Sequence, residues 1–260
     1  MRLLRRIAAT NATTVPPLAL SVVRTLGKSK TDRRGFLSLF SSPNVFKNSV
    51  LLIIARSVYL LTMFSPVLAV SSLSVNPFLT VAAQGGAQFV SYCVANFCAS
   101  RIGRRWSGVA APLLAAIASG VIFCMLTVDI AGPALVAMIM VMQFSTTISF
   151  SVANLQSVEV HPTCLRQIAA CVEWAIAGVA MSALPYLALM KDKRQPFAVL
   201  TALNLATALA VSFLPESALQ RLPETLQDAA LFGKERPYWS WKPKPPPGYT
   251  AEQCGSSEPS

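Results

Sequence analysis

Arg56 and Glu173 are full charges set inside the apolar runs LLIIARSVYLLTM and AACVEWAIAGVA. Within a spanning helix each would cost about 2.5–3.5 kcal/mol on insertion scales unless it faced a partner or a wet cavity. Two roles fit these residue types: lining a polar pathway that contacts a charged solute, or pairing with each other to lock two helices. The sequence leaves both open. Weaker polar groups form a second pattern. Gln84, Gln88 and Ser91 share one helical face by their spacing, and so do Gln143, Thr147, Ser151 and Asn154. Both faces need protein or water opposite them, although Ser and Thr hydroxyls can also bond the carbonyl four residues back. Arg56, Gln84, Gln88, Gln143, Thr147 and Glu173 are therefore the candidate pathway residues.

Covalent chemistry finds no comparable support. The single histidine, His161, stands beside Pro162 at the edge of an apolar run and reads as a loop residue; HExxH, G-x-S-x-G and paired aspartates are absent from the sequence. No catalytic residue, metal or cofactor is expected. The six cysteines (Cys93, Cys98, Cys124, Cys164, Cys171, Cys254) lack metal-ligand spacing and read as buried, unpaired small hydrophobes.

The elements that carry these residues follow from composition. A chain of 260 residues that is 53% hydrophobic and 13% charged, with mean hydropathy +0.52, has too few polar groups to cover a water-soluble globule. Six windows approach the ~20 apolar residues that span a bilayer: 46–70, 77–99, 108–128, 132–156, 167–190 and 195–214. The fold class is all-α, an integral membrane six-helix bundle in contact with membrane lipid. A net charge of +11 would point to nucleic acid in a soluble protein, but the basic residues avoid the apolar windows, so no nucleic-acid partner is expected. With both termini cytoplasmic, eighteen of the 22 Lys and Arg fall inside. Three lie outside in KDKR (191–194), and Arg56 lies within the first window.

Residues 1–45 read as a basic cytoplasmic linker, 46–214 as the membrane domain and 215–260 as a cytoplasmic, Pro-rich disordered tail. The acid-free first 31 residues also fit a transit peptide. Asn11 opens a sequon that a cytoplasmic position leaves unused. Pro243 and Pro246 give the tail a PxxP pattern.

Four motifs share one resemblance. RIGRR (101–105) resembles the D-R-x-G-R-R loop of the major facilitator superfamily. EVHPTCLR (159–166) resembles an E-x-Y-P-T-x-x-R signature. LPESALQRLPETLQDA (214–229) is similar to a repeated L-P-E-T segment after the last helix, and FSSPNVFKNSVLL (40–52) is similar to the lead into the seventh helix. Together they resemble the organic cation/anion transporter branch over about residues 36–229. The resemblance implies the C-terminal half of such a carrier, with the windows as helices seven to twelve and the third and sixth outermost. The N-terminal six-helix half, or a second copy of this chain, would complete it. It further implies a plasma-membrane carrier that moves small organic ions by alternating access, with a cytoplasmic gate at Arg101, Gly103, Arg104, Arg105, Glu159 and Arg166.

Loop chemistry fits such a gate. Gly103 permits a tight turn, and the arginines can bond helix-terminal carbonyls, acids and lipid phosphates. Arg166, near a helix N-terminus, wants an acid, for which Glu159 is the candidate; Pro162 and Thr163 can start and cap that helix. Ser100 stands where the family has aspartate and His161 where it has tyrosine. Gly178 takes the position of the family's charge selector, leaving any charge preference to Arg56 or Glu173. The competing reading is a truncated, non-transporting membrane protein that acts through partner binding.

The topology is testable by impermeant thiol labelling of Ile102→Cys and Lys193→Cys in a cysteine-free background. The two sites are expected on opposite sides of the membrane, and labelling from one side would overturn the arrangement.

Overall fold

The computed structural model describes residues 39, 42–70, 77–130, 132–218, 220, 222–223 and 226–233. The chain divides into two units, and every described residue belongs to the second, Phe36–Ser260. Among the described residues, eight helices run in order: α1 Pro43–Val70, α2 Pro77–Arg101, α3 Arg104–Thr127, α4 Pro133–Val160, α5 Arg166–Met181, α6 Leu184–Ala188, α7 Gln195–Ser212 and α8 Leu226–Leu231. Proline opens several of them, where its missing N–H costs nothing and its fixed φ suits the first turn.

Among the described residues, five helical stretches are long and apolar enough to cross a membrane: Pro43–Ser65, Arg104–Thr127, Pro133–Val160, Arg166–Ala188 and Gln195–Ser212. The expected count of six therefore rests on α2. That helix has the length, 25 residues, but Gln84, Gly85, Gly86 and Gln88 dilute its apolar character. The fifth stretch is broken between Met181 and Leu184, next to Pro185. Pro185 cannot donate to the carbonyl of Met181, and the N–H groups of Ser182 and Ala183 tighten onto Val179 and Ala180 instead.

α4 is central, touching α1, α2, α3 and α5, while α1 packs on α4, α5, α7 and α8. Lipid is as apolar as leucine, so close approach of small residues must hold such helices together. α3 supplies Ala111, Ala115, Ala116, Ala118 and Gly108 on its inner face, and a Cβ on Gly108 would meet Val211 Cγ1 at 3.0 Å. Its outer face shows Leu113, Leu114, Ile117 and Val121, and α7 shows Leu205 and Leu209. Outward apolar faces on these two helices match the expectation from the third and sixth windows. Between α3 and α7 the seam is polar: Ser119 Oγ lies 2.9 Å from Thr201 Oγ1. Asn204 Nδ2 reaches across to α1, donating to Thr62 Oγ1 at 3.1 Å.

Arg105 Nη2 donates to the carbonyl of Ser212, while Arg194 Nη2 approaches Asp129 Oδ1 at 3.9 Å. These contacts join opposite ends of α3 and α7, so residues 101–105 and 191–194 lie at opposite ends of the bundle.

Two expectations are corrected. The segment after Leu214 is not disordered from its start: Glu216, Ser217, Ala218, Ala229 and Phe232 are buried, and α8 packs on α1. Asn44 Nδ2 fixes it by donating to the carbonyls of Ala229 and Ala230 at 3.3 Å and Phe232 at 3.0 Å. The proline-rich stretch 237–250 lies outside the described residues, as do residues 1–35. Cys93, Cys124, Cys164 and Cys171 are exposed rather than buried, and Cys98 is half-buried; all five are free. An outer apolar face suits a small sulfur side chain as well as a core does.

Gly108→Leu should lower the melting temperature in detergent, reflecting a loss of about 1–3 kcal/mol from overpacking against Val211. Gly178→Leu, at a glycine with nothing within 4 Å of an added Cβ, should leave it unchanged.

Candidate functional site

The buried face of α5 is a narrow stripe, Ala169, Glu173 and Ala177, one residue per turn. Two alanines let α5 approach α1 closely and leave the intervening carboxylate nowhere to go but into the helix pair. There it meets Arg56. Nε donates to Glu173 Oε2 at 3.1 Å and Nη2 lies 2.9 Å from the same oxygen; the side chains are 4% and 1% exposed. Arg56 Nη1 donates to Asn154 Oδ1 on α4, and Ser157 Oγ lies 2.9 Å from both carboxylate oxygens. The Trp174 ring covers the guanidinium with its centroid 4.9 Å away and meets Phe150 edge-on. The pairing left open by the sequence is thus present in the fold, and neither charge faces solvent.

His161 belongs to this cluster, a correction to its reading as a loop residue. It caps α4, 1% exposed, with Nδ1 2.8 Å from the Ser157 carbonyl and 3.8 Å from Glu173 Oε1. A carbonyl only accepts, so the neutral ring carries its proton on Nδ1, and Nε2 accepts from Ser49 Oγ of α1 at 3.0 Å. Burial pushes the ring below the usual histidine range; the Ser157 carbonyl and Glu173 pull it back up, and Arg166 and Arg56 add to the lowering. Sequence spacing gave little warning, because Ser49, Ser157 and His161 are ordinary residues until three helices bring them together.

At the same end of the bundle a second network joins the loops. Gly103 sits at φ +105°, which favours glycine, and a Cβ there would meet Glu216 Oε2 at 2.8 Å. The Glu216 carboxylate caps α3, accepting from the N–H of Arg104 at 2.9 Å and of Arg105 at 3.1 Å. It thereby meets the positive end of the helix dipole. Arg104 Nη2 pairs with Glu159 Oε1 at 2.9 Å, and Ser217 Oγ donates to Glu159 Oε2 at 2.6 Å. Arg104 and Arg105 also bond the carbonyls of Ala99 and Ser212, as their position at helix ends led one to expect. Arg101 is exposed and stacks over Phe97. The expected Glu159–Arg166 pairing is not formed: Glu159 is taken by Arg104, and among the described residues Arg166 Nε and Nη2 have no hydrogen-bond partner. Glu216 is not among the residues to which the sequence points, although it lies within the LPESALQRLPETLQDA segment. It brings a carboxylate to the turn where Ser100 replaces aspartate.

The amide face is buried as well. Gln84, Ser91, Gln143 and Thr147 are buried and Gln88 is half-buried, with α2 packed on α4. Ser91, Thr147 and Ser151 spend their hydroxyls on carbonyls four residues back. Gln84 Nε2 and Gln143 Oε1 have no such outlet and remain without partners among the described residues.

These features define a multi-pass membrane protein whose loops are tied together by ion pairs and helix caps, and the sugar (and other) transporter family matches residues 23–228. The chain belongs to that family, within the organic cation/anion transporter branch of the major facilitator superfamily. It is 25% identical to human solute carrier family 22 member 13, over 89% of this chain and 42% of the relative. It is 26% identical to organic cation transporter 1 of Caenorhabditis elegans, over 85% of this chain and 36% of the relative. To an organic cation transporter protein of Drosophila melanogaster it is 31% identical, over 48% of this chain and 21% of the relative. The chain thus spans less than half the length of each of these relatives. The matched family is one of transporters, and the relatives named here are carriers rather than enzymes.

The ion pair has a thermodynamic signature. Arg56→Met alone should cost about 3–5 kcal/mol by stranding Glu173, whereas Arg56→Met with Glu173→Leu should recover most of that loss. Thermal unfolding of both variants in lipid nanodiscs decides it; equal losses would remove the pair from its structural role.

Proposed function

We propose that this chain is one six-helix half of a carrier for small organic ions, working by alternating access against a second half. Its family membership over residues 23–228, with less than half the length of its relatives, supports the half-carrier reading. The second half is the N-terminal six helices or another copy of this chain. Both termini lie on the cytoplasmic side of the plasma membrane, in keeping with the bias of Lys and Arg toward that side. The Arg104–Glu159 and Glu216 network then forms the inner gate.

The observation that supports the reading is a set of buried polar atoms without hydrogen-bond partners among the described residues, Gln84 Nε2 and Gln143 Oε1 together with Asn48 Oδ1, Tyr59 Oη, Gln156 Nε2 and Asn204 Oδ1. A buried polar group without a partner costs about 1–3 kcal/mol, a cost that a structural bundle has no reason to keep. In a carrier those atoms receive a solute or its water when the halves part. Arg56 and Glu173 supply charge selection, with Gln88 and Thr147 on the same faces as Gln84 and Gln143.

Uptake of radiolabelled tetraethylammonium and of benzoate into proteoliposomes tests this. Saturable uptake of at least one is expected. Gln84→Leu with Gln143→Leu should keep or raise the melting temperature, because removing orphaned polar groups is at worst neutral. The same double variant should lower uptake about tenfold, the equivalent of one lost hydrogen bond to the solute. Undiminished uptake in that variant would refute the assignment.

A further inference from the structure

The Arg56–Glu173 cluster contains one more group than a static ion pair needs. His161 adds a third ionisable side chain, drawn from the C-terminus of α4 and placed between Ser49 on α1 and Glu173 on α5. The charged groups reaching the ring are Glu173 and Arg166 from α5 and Arg56 from α1, with the Ser157 carbonyl from its own helix. Neutral His161, Arg56 and the Glu173 carboxylate sum to zero, which lets these three stay dry, while Arg166 adds its positive charge from the partly exposed start of α5.

The hydrogen bonds around the ring accept either protonation state. When neutral, it donates from Nδ1 to the Ser157 carbonyl and accepts at Nε2 from Ser49. When protonated, it keeps the first bond and donates from Nε2 to Ser49 Oγ, whose own hydrogen turns to the Val45 carbonyl at 2.8 Å. One hydroxyl rotation is the only rearrangement required. Glu173 Oε1 already stands 3.8 Å from Nδ1, placed to balance an imidazolium.

Resting on the transport reading above, we infer that His161 is a proton-binding site coupled to solute movement, and that Glu173 exchanges partners between Arg56 and the protonated ring. Arg56 on α1 and Glu173 on α5 are joined through a long, flexible guanidinium arm, so swinging that side chain away breaks the ion pair while Ser49 stays on the ring. A lone buried carboxylate would be costly. A proton taken up at Nε2 from the aqueous phase converts the ring to imidazolium, and Glu173 is neutralised again without changing its own protonation. Return of Arg56 expels that proton. Atoms and charge balance: one proton is bound when Arg56 leaves and released when it comes back. The coupled ion of this carrier is accordingly H⁺.

Because His161 is the sole histidine, protein labelled with 15N-histidine reports one ring. Its titration in nanodiscs between about pH 5 and about pH 9 spans the range in which imidazole changes charge. Arg56→Gln, which leaves Glu173 to the ring, should raise the midpoint by about one pH unit or more, and adding Glu173→Gln should cancel that rise. Midpoints that coincide in all three proteins would overturn the inference. Where Arg56→Gln fails to fold, flux measurements on the wild type and His161→Gln decide it. An imposed pH gradient should change tetraethylammonium or benzoate uptake by about threefold or more in the wild type and leave the ratio at about one in His161→Gln. Wild-type uptake indifferent to the gradient would likewise overturn proton coupling. Failure of transport itself shows differently, as no saturable uptake at any pH, and the ring titration then still decides whether a proton site exists.

Discussion

An arginine and a glutamate placed in a bilayer must find each other or leave it, and the geometry of this bundle follows from that requirement. Arg56 and Glu173 bring α1 against α5, and the hydrogen bonds they still lack recruit Asn154 and Ser157 from α4. Three helices are thereby fixed at one level. The alanines at 169 and 177 matter for the same reason: larger side chains would hold α5 away and leave the charges apart. Trp174 then closes the outer side with its ring face, an apolar surface that also attracts a cation. Van der Waals packing alone would permit α5 to rotate or slide, since less of it is buried than of any other candidate span. The ion pair removes that freedom.

The loops at the same end obey the same electrostatic economy on a wetter surface. Helix α3 begins without a side-chain cap of its own, at a glycine in a left-handed conformation, and its exposed N–H groups are met by Glu216 from beyond the last spanning helix. Glu159 is drawn to Arg104, which leaves Arg166 without it. The connection ties α2, α3, α4 and the segment after α7 together through a few partly buried charges. Such contacts are weaker than the buried pair and more easily broken by water.

Much of this was legible beforehand. Apolar windows gave the helices, because only a helix satisfies its backbone inside lipid. The arginine-rich turn pointed to bonds with acids and helix-end carbonyls, and Arg104 and Arg105 make such bonds. Ser and Thr on α2 and α4 turned to their own helices, the local outlet that their chemistry offers. His161 was misread because its sequence neighbours, a proline and a helix end, are those of a loop, and burial is a property of what packs on top. The cysteines were misplaced for a related reason: in a membrane the outer face is as apolar as the core, so an apolar residue type no longer tells inside from outside. The ordered tail was missed because its polarity says only that it is not in the bilayer, and Asn44, which holds it, is remote in sequence.

The sequence by itself determined that the chain is helical, membrane-embedded and related to organic ion carriers. Those properties follow from hydropathy, local backbone satisfaction and motif spacing, all of which act along the chain. Which charge answers which was decided only by the tertiary structure. Glu173 could have met a solute, a water or Arg56; Glu159 could have met Arg104 or Arg166. Electrostatic partners are chosen by distances of a few ångströms between residues 55 to 117 positions apart, and those distances exist only once the helices have packed.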